Sequence, residues 1–298
     1  MQTVRSVKVT TLADNVVYDS RLLGQFGFSA YLEIKDYKGK KHSIIFDAGR
    51  RKGALLYNIK TLKLDLSPLE CIILSHGHFD HTSATVELIK RAKRKVKVIA
   101  HPNAFLPKYV IEKHRRRYIG VPRGERKTDI LKAGGQVVET TRPVEIIPGV
   151  LTSGEIKRIT PFEKITWKNM TVIDGKQVRD HVPDDQALFI NIERHGVLVL
   201  SGCAHAGIIN TLQSAVDTTK TKKLYGFIGG THLIRPKEKR LRETVRKLKE
   251  YDLHLISPAH CTGHKSIATI NQAFPKAFVL NYAGRTIDTA KKLKDPVF

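Results

Sequence analysis

Short apolar runs alternate with helical patterns along the whole chain. Runs such as residues 4–11 and 187–193 are rich in β-branched residues and are bounded by polar or glycine-containing segments, which is typical of strands. Over residues 237–249, apolar side chains recur every three or four positions among charged ones, which is typical of an amphipathic helix. The alternation predicts a layered α/β fold rather than an all-α or all-β one.

The pattern predicts ten strands and four helices, all within a single domain over residues 1–298. The strands are predicted at residues 4–11, 29–34, 42–46, 71–75, 96–100, 136–139, 187–193, 196–201, 223–228 and 253–257. The helices are predicted at residues 54–62, 82–94, 206–216 and 237–249. Residues 102–135 carry several prolines and glycines among basic residues, so we expect an irregular basic excursion over the surface there.

Five predicted strands end in short polar segments that are rich in metal-binding side chains. These segments are residues 46–49, 74–81, 201–205, 228–232 and 257–260. In a layered α/β fold such strand ends gather at one edge, where binding sites are built. The densest segment, His76-Gly77-His78-Phe79-Asp80-His81, holds three imidazoles and a carboxylate that need a partner when packed together. The sequence therefore predicts one or two divalent metal ions, zinc first, with manganese, iron or magnesium as alternatives.

The His76-x-His78-x-Asp80-His81 segment after an apolar strand resembles the metal motif of the metallo-β-lactamase superfamily. That resemblance implies a four-layered αβ/βα sandwich with a dinuclear metal centre between two sheets. It implies that His76 and His78 bind the first metal, and that Asp80 and His81 bind the second together with His260. Asp47, at the end of the preceding strand, would then support the metal-binding loop without being a ligand.

Five further segments follow the order found in one branch of that superfamily, the branch of the archaeal dihydropterin–arylamine ribose phosphate synthases. They are residues 101–105, 153–158, 184–188, 202–208 and 258–263. The resemblance implies a transfer in which an arylamine displaces pyrophosphate from a dihydropterin, in methanopterin biosynthesis. A phosphoesterase or nuclease of the same superfamily is the first alternative. A non-catalytic, metal-stabilised binding protein is the second, and the intact set of ligands argues against it.

The sequence leaves the identity of the remaining metal ligands undecided. Cys203 stands where the superfamily usually has a bridging aspartate; as a thiolate it favours zinc, whereas as a buried thiol it merely packs. His205 is predicted to complete the first site, with a carboxylate at Asp184 or Asp185 as its rival. Asp80 and His232 are the predicted catalytic residues, and a purely structural role is the alternative for His232.

Six residues are candidates for substrate binding: Glu155, Arg158, Asp184, Asp185, Gly229 and Gly230. The Gly229-Gly230 turn is expected to offer backbone N–H groups to a phosphate. Glu155 and Arg158 are expected to bind a pterin or a phosphate, and a surface salt bridge is their alternative role.

The chain is strongly basic, with 52 Lys+Arg against 28 Asp+Glu and a net charge of +24. Such a charge attracts anions, although a solvated surface is the simpler interpretation. We hypothesise that residues 113–117, with Arg123 and Arg126, lie over the metal edge and capture a phosphate-bearing small molecule. Nucleic acid is the less favoured partner, because no separate RNA-binding appendage is visible.

Composition excludes a membrane-spanning protein and a disulfide-stabilised secreted scaffold. No stretch approaches ~18 consecutive apolar residues, so no membrane-spanning helix is predicted. Cys71, Cys203 and Cys261 cannot form a disulfide framework, so a reducing cytoplasm is expected. The sequence does not indicate an oligomeric state.

Overall fold

Seven strands form the first β-sheet of the computed structural model, which describes residues 1–112, 115–165 and 168–291. They are β1 (Ser6–Ala13), β2 (Ser29–Lys35), β3 (Lys41–Phe46), β4 (Leu69–Ile73), β5 (Lys97–Ala100), β8 (Gln136–Glu139) and β17 (Thr286–Asp288). Their order in space is β17-β1-β2-β3-β4-β5-β8, and β3, β4, β5 and β8 run parallel. The carboxyl ends of these four strands therefore lie at one edge.

Six strands form the second sheet. They are β9 (Glu145–Ile147), β10 (Val150–Thr152), β13 (Ala187–Ile192), β14 (Gly196–Ser201), β15 (Leu224–Gly230) and β16 (Leu255–Ala259). Their order is β16-β15-β14-β13-β10-β9, and β14, β15 and β16 run parallel. This sheet therefore also collects the carboxyl ends of neighbouring strands at one edge.

The two sheets pack face to face with helices on both outer faces. Alternate strand residues point to opposite faces, so Ile44 enters the core between the sheets with Leu198, whereas Ile45 packs outward. The helices are α1 (Lys52–Thr61), α2 (Phe79–Thr82), α3 (Thr85–Arg91), α4 (Lys127–Lys132), α5 (Ile208–Thr219), α6 (Glu238–Leu248) and α7 (His264–Ala273). Side chains of α1, α3 and α4 cover the first sheet, and those of α5, α6 and α7 cover the second. The predicted four-layered αβ/βα sandwich is confirmed.

The basic segment at residues 102–135 is more regular than the sequence indicated. It contains β6 (Lys108–Glu112) and β7 (Arg115–Tyr118), which join β11 (Asn169–Ile173) and β12 (Lys176–Arg179) in a third sheet of order β12-β11-β6-β7. Every residue of β7 is exposed, so the apolar alternation by which strands are recognised is missing there. Lys113 and His114, within the predicted phosphate-capturing segment, lie outside the described residues.

The helix predicted at residues 82–94 is shorter in the structure, where α3 runs over Thr85–Arg91; the separate short helix α2 precedes it and shares only Thr82 with the predicted range. The Thr82 hydroxyl donates to the His78 carbonyl and the Ser83 hydroxyl donates to the Phe79 carbonyl, so side chains compete for acceptors at the end of α2. The break lets α2 face the metal edge while α3 packs on the sheet. No helix in the described part of the chain is long and apolar enough to cross a membrane.

Candidate metal centre

Loops from both sheets meet at one edge of the sandwich. The loop after β4 and the short helix α2 carry four of the predicted ligands, the loop after β14 carries two, and the turn after β16 carries one. All seven are buried there: His76, His78, Asp80, His81, Cys203, His205 and His260. The structure thus brings the whole predicted ligand set together.

Six of the seven predicted ligands form two groups of three. The donor atoms of His76, His78 and His205 lie within 4.8 Å of one another, and we call this group the first triad. Those of Asp80, His81 and His260 do the same and form the second triad. Cys203 lies between the two, with its Sγ 3.2 Å from His81 Nε2 and within 4.8 Å of a ring nitrogen of His76.

The donor atoms fit a metal because they are buried without partners. The Nε2 atoms of His76, His78 and His260, and both ring nitrogens of His205, have no hydrogen-bond partner. Buried polar atoms are rarely left in this state, and a bound ion would supply what is missing. Burial lowers the pKa of His76 and His205 well below the usual range, so these rings are neutral and carry the lone pair that binds a metal. Three imidazoles around one point are a donor set that suits zinc.

The second triad carries charge. Burial opposes protonation of His81, but the carboxylates of Asp47 and Asp80 outweigh it and raise its pKa to about 9. Burial raises the pKa of Asp80, but His81 and His260 outweigh it and hold that pKa well below the usual range. A metal that binds His81 would therefore have to displace a proton from it.

One carboxylate orients a histidine in each triad. Asp47 Oδ2 lies 2.7 Å from His81 Nδ1 and accepts a hydrogen bond from Ser75 Oγ at 2.7 Å. Ser75 Oγ in turn lies 2.8 Å from His76 Nδ1. Asp47 therefore fixes ring orientation at both triads without belonging to either, as the family resemblance implies. A side chain at Gly202 would lie 2.1 Å from Ser75 Oγ, so this network leaves room for glycine alone.

Four non-glycine residues at this edge have strained backbone conformations. Asp47, Ala204, His232 and His260 all have positive φ angles, between 46° and 63°. Non-glycine residues adopt this conformation at a cost, and such positions cluster at functional sites.

The structure adds two residues that the sequence reasoning missed. Asn15 Oδ1 lies 2.9 Å from His260 Nδ1, and Asn15 Nδ2 donates to the His260 carbonyl at 3.0 Å. The His260 N–H donates to Asp14 Oδ2 at 2.8 Å. Asp14 and Asn15 directly follow strand β1, so polar side chains at the end of a strand, the pattern that identified the other five segments, are present here as well.

Asp184 and Asp185 belong to neither triad. Asp184 accepts hydrogen bonds from Lys108 Nζ and from the Gly77 N–H, each at 2.8 Å. Asp185 accepts one from the Ala206 N–H at 2.7 Å. Both carboxylates are buried and these bonds hold metal-binding loops, whereas Asp185 Oδ1 has no hydrogen-bond partner. The structure therefore does not bring either into the first triad, where one was expected as the rival of His205.

Arg158 and Glu155 are also placed differently from the expectation. The Arg158 guanidinium donates to the carbonyls of His205 at 2.6 Å, His181 at 2.8 Å and Val182 at 3.1 Å. It therefore holds the loop that carries His205 and has little left for a substrate. The half-exposed Glu155 lies with its Oε2 3.6 Å from His101 Nε2, outside both triads.

Gly229 and Gly230 are packed closely against neighbouring backbone. The Gly230 N–H donates to the Gly202 carbonyl at 3.1 Å and is not available to a ligand. A Cβ at Gly229 would lie 1.9 Å from the Ser201 carbonyl oxygen, and one at Gly230 would lie 2.3 Å from that of Gly202. The two glycines let strand β15 approach its neighbour closely at the metal edge.

A cavity of about 410 Å³ opens over both triads. Its walls combine apolar side chains with three arginines and one glutamate, and they include Phe26, Phe79, Val110, Ile119, Ile234, Arg50, Arg117, Arg235 and Glu112. Glu112 pairs with Arg117 at 3.3 Å, whereas Arg50 and Arg235 have no such ion pair among the described residues. His232 is half-buried in the wall, with its ring centroid 4.3 Å from that of His205. The cavity therefore suits an anion that carries an aromatic ring.

Comparison with known proteins identifies the family. The family model described as the Metallo-beta-lactamase superfamily matches residues 26–260, which include both triads. The chain belongs to the metallo-β-lactamase superfamily.

Two relatives from Methanocaldococcus jannaschii are each 32% identical to this chain. One is the 7,8-dihydropterin-6-methyl-4-(beta-D-ribofuranosyl)-aminobenzene-5'-phosphate synthase, matched over 95% of this chain and 97% of the relative. The other is an uncharacterised protein, matched over 94% and 99%.

Two solved structures share the fold. A metal-dependent hydrolase of the beta-lactamase superfamily superimposes with a TM-score of 0.77 at 23% identity, covering 94% of this chain and 98% of that one. The metallo-beta-lactamase fold protein YhfI from Bacillus subtilis gives 0.54 at 12% identity, covering 95% and 99%.

Proposed function

We propose that the chain is a metal-dependent transferase that joins a dihydropterin to an arylamine ribose phosphate, with release of pyrophosphate. The observation that carries the proposal is one cavity over two ligand triads, with aromatic and guanidinium groups in its walls. The 32% identity to a synthase of this kind, over nearly the whole length of both chains, supports the choice of substrates.

The reaction requires an anionic leaving group to be held and a flat ring to be oriented. The arylamine nitrogen bonds to the methylene carbon of the dihydropterin, and the carbon–oxygen bond to pyrophosphate breaks. Divalent ions bound at the triads would neutralise the charge that develops on pyrophosphate. Phe26 and Phe79 offer ring faces for the pterin, and the Arg50 guanidinium lies 5.0 Å from the Phe79 ring centroid.

In this proposal His232 accepts the proton that the arylamine loses. It lies in the cavity wall, and its backbone N–H donates to Cys261 Sγ at 3.3 Å, which fixes the residue at the turn. Imidazole is the side chain that most often serves as a general base near neutral pH. Asp80 lies in the same cavity as a member of the second triad.

The decisive experiment supplies both substrates to the zinc-loaded protein and follows the coupled product and pyrophosphate by mass spectrometry. We expect pyrophosphate release to depend on the arylamine. Release without the arylamine would instead show a hydrolase, and turnover of RNA alone would show a nuclease.

A variant pair tests the role of His232. His232→Gln is expected to lower kcat by about 10²–10⁴, the usual contribution of general acid–base catalysis. His254→Gln is the matched control, because His254 is a histidine with a 60% exposed side chain outside the cavity. Equal activity of the two variants would exclude His232 as the base.

A further inference from the structure

A second cavity, of about 470 Å³, adjoins the metal centre and is basic. Four exposed cationic side chains line it: Arg50, Arg51, Lys52 and Arg123. Among the described residues, no carboxylate oxygen lies within 4.0 Å of a side-chain nitrogen of these four. Elsewhere on the surface many cations are paired, as in Lys8–Glu33 and Arg246–Glu250. Unpaired like charges around one cavity repel one another, and a bound anion relieves that repulsion.

One carboxylate, Glu125, also lines the cavity, and the charge of Lys52 acts on it. Glu125 is buried, and its Oε2 accepts a hydrogen bond from the Val86 N–H at 2.8 Å. Burial raises the pKa of Glu125 to about 7, so this group is partly protonated near neutral pH. One carboxylate stands against four cations in this lining, so the cavity keeps a net positive charge.

The second cavity shares a wall with the cavity over the triads. Arg50 and Phe79 line both. Phe79 lies between the ligands His78 and Asp80 in the chain, so the shared wall is part of the metal-binding loop itself. A ligand could thus place one group at the metal centre and another in the second cavity.

We propose that this second cavity binds a phosphate monoester, namely the 5'-phosphate of the arylamine ribose phosphate. The inference rests on the proposed function, because it assigns separate places to the two anions of that reaction. The pyrophosphate of the dihydropterin takes the metal centre, and the phosphate of the second substrate lies beyond the Arg50–Phe79 wall. Guanidinium groups suit this ligand because they bind phosphate oxygens through two parallel hydrogen bonds.

Binding of ribose 5-phosphate to the zinc-loaded full chain, measured by isothermal titration with ribose as the uncharged comparison, tests the site directly. Arg51→Gln/Arg123→Gln is expected to weaken binding at least tenfold and to reduce its dependence on salt. The matched control is Arg242→Gln/Lys249→Gln. It removes two exposed cations, one on α6 and one directly after it, and both lie outside the two cavities. We expect the control to stay within twofold of the original chain.

Two results would overturn the site. Equal weakening in both double variants would show attraction by the surface charge in general. Undiminished binding in Arg51→Gln/Arg123→Gln would show that the phosphate is held by the metal centre. Thermal unfolding of each variant checks that the fold is retained.

Steady-state kinetics separate this proposal from the proposed function. In Arg51→Gln/Arg123→Gln we expect the KM for the arylamine ribose phosphate to rise at least tenfold, with kcat and the KM for the dihydropterin within twofold. A chain that binds ribose 5-phosphate through these arginines but makes no coupled product would overturn the proposed reaction and retain the site. Coupled product with an unchanged KM would overturn the site alone.

Discussion

Lys108 neutralises two buried carboxylates beneath the metal-binding loop, and replacing it with methionine should destabilise the fold. The lysine side chain is 1% exposed, and its Nζ lies 2.9 Å from Asp180 Oδ2 and 2.8 Å from Asp184 Oδ1. The two aspartates are 2% and 0% exposed. Burial opposes the charge on Lys108, but the two carboxylates outweigh it and raise its pKa. Lys108→Met would leave both carboxylates buried without a counter-charge.

The expected cost is large because removing one partner of a buried ion pair typically costs about 3–5 kcal/mol. For a domain of this size each kcal/mol lowers Tm by about 2–4 °C, so we expect a fall of about 10 °C. Thermal unfolding of the metal-loaded protein at pH 8 measures it.

The matched control is Lys8→Met. Its Nζ lies 2.6 Å from Glu33 Oε2, but the two side chains are 41% and 45% exposed, and such pairs contribute about 0–1 kcal/mol. The triple variant Lys108→Met/Asp180→Asn/Asp184→Asn should recover more than half of the loss, because it removes the buried charges together. A Tm for Lys108→Met that matches the Lys8→Met control would refute the reasoning.

Three further predictions concern the ligands and one buried acid. Asp80→Ala should remove the ion of the second triad and retain that of the first, and elemental analysis showing both ions unchanged would contradict this. Cys203→Ser should weaken the sulfur-to-metal absorption of the cobalt-substituted protein, whereas Cys71→Ser, in the buried strand β4, should not; identical spectra would mean that Cys203 merely packs. Burial raises the pKa of Glu163 to about 7, although backbone N–H groups oppose the shift. The protonated side chain therefore stabilises the fold; this contribution is complete below about pH 4.5, the ordinary pKa, and is lost as pH rises through 7. The free energy of unfolding should therefore fall by about 3 kcal/mol more between pH 5 and 8 in the original chain than in Glu163→Gln, and parallel urea-unfolding curves would exclude this.

The layered fold could be predicted because its central strands are buried on both faces. Strand β14 reads Gly-Val-Leu-Val-Leu-Ser, and all six residues are buried, so the run is unmistakable in the sequence. Strands β7 and β12 escaped prediction because every residue in them is exposed. Each pairs with its neighbour in the chain, β6 or β11, and the sheet is completed by the pairing of β6 with β11, which are distant in the chain.

The metal centre likewise contains one part that is local in the sequence and another that depends on distant residues. His76, His78, Asp80 and His81 lie in one short segment, so their joint chemistry is visible without a structure. The partners of these residues are distant in the chain, and no local pattern connects Asn15 with His260. The misplaced candidates have a common cause, since a sequence does not show that the Gly230 N–H is already used within the fold.

Each triad draws its members from both halves of the sandwich. His76 and His78 follow a strand of the first sheet, whereas His205 follows a strand of the second, and the second triad is divided in the same way by His260. A metal ion in either triad would therefore act as a crosslink that closes a long loop of the unfolded chain, and loops of this length cost the most entropy to close. Metal supply would then control how long the protein survives as well as how fast it reacts.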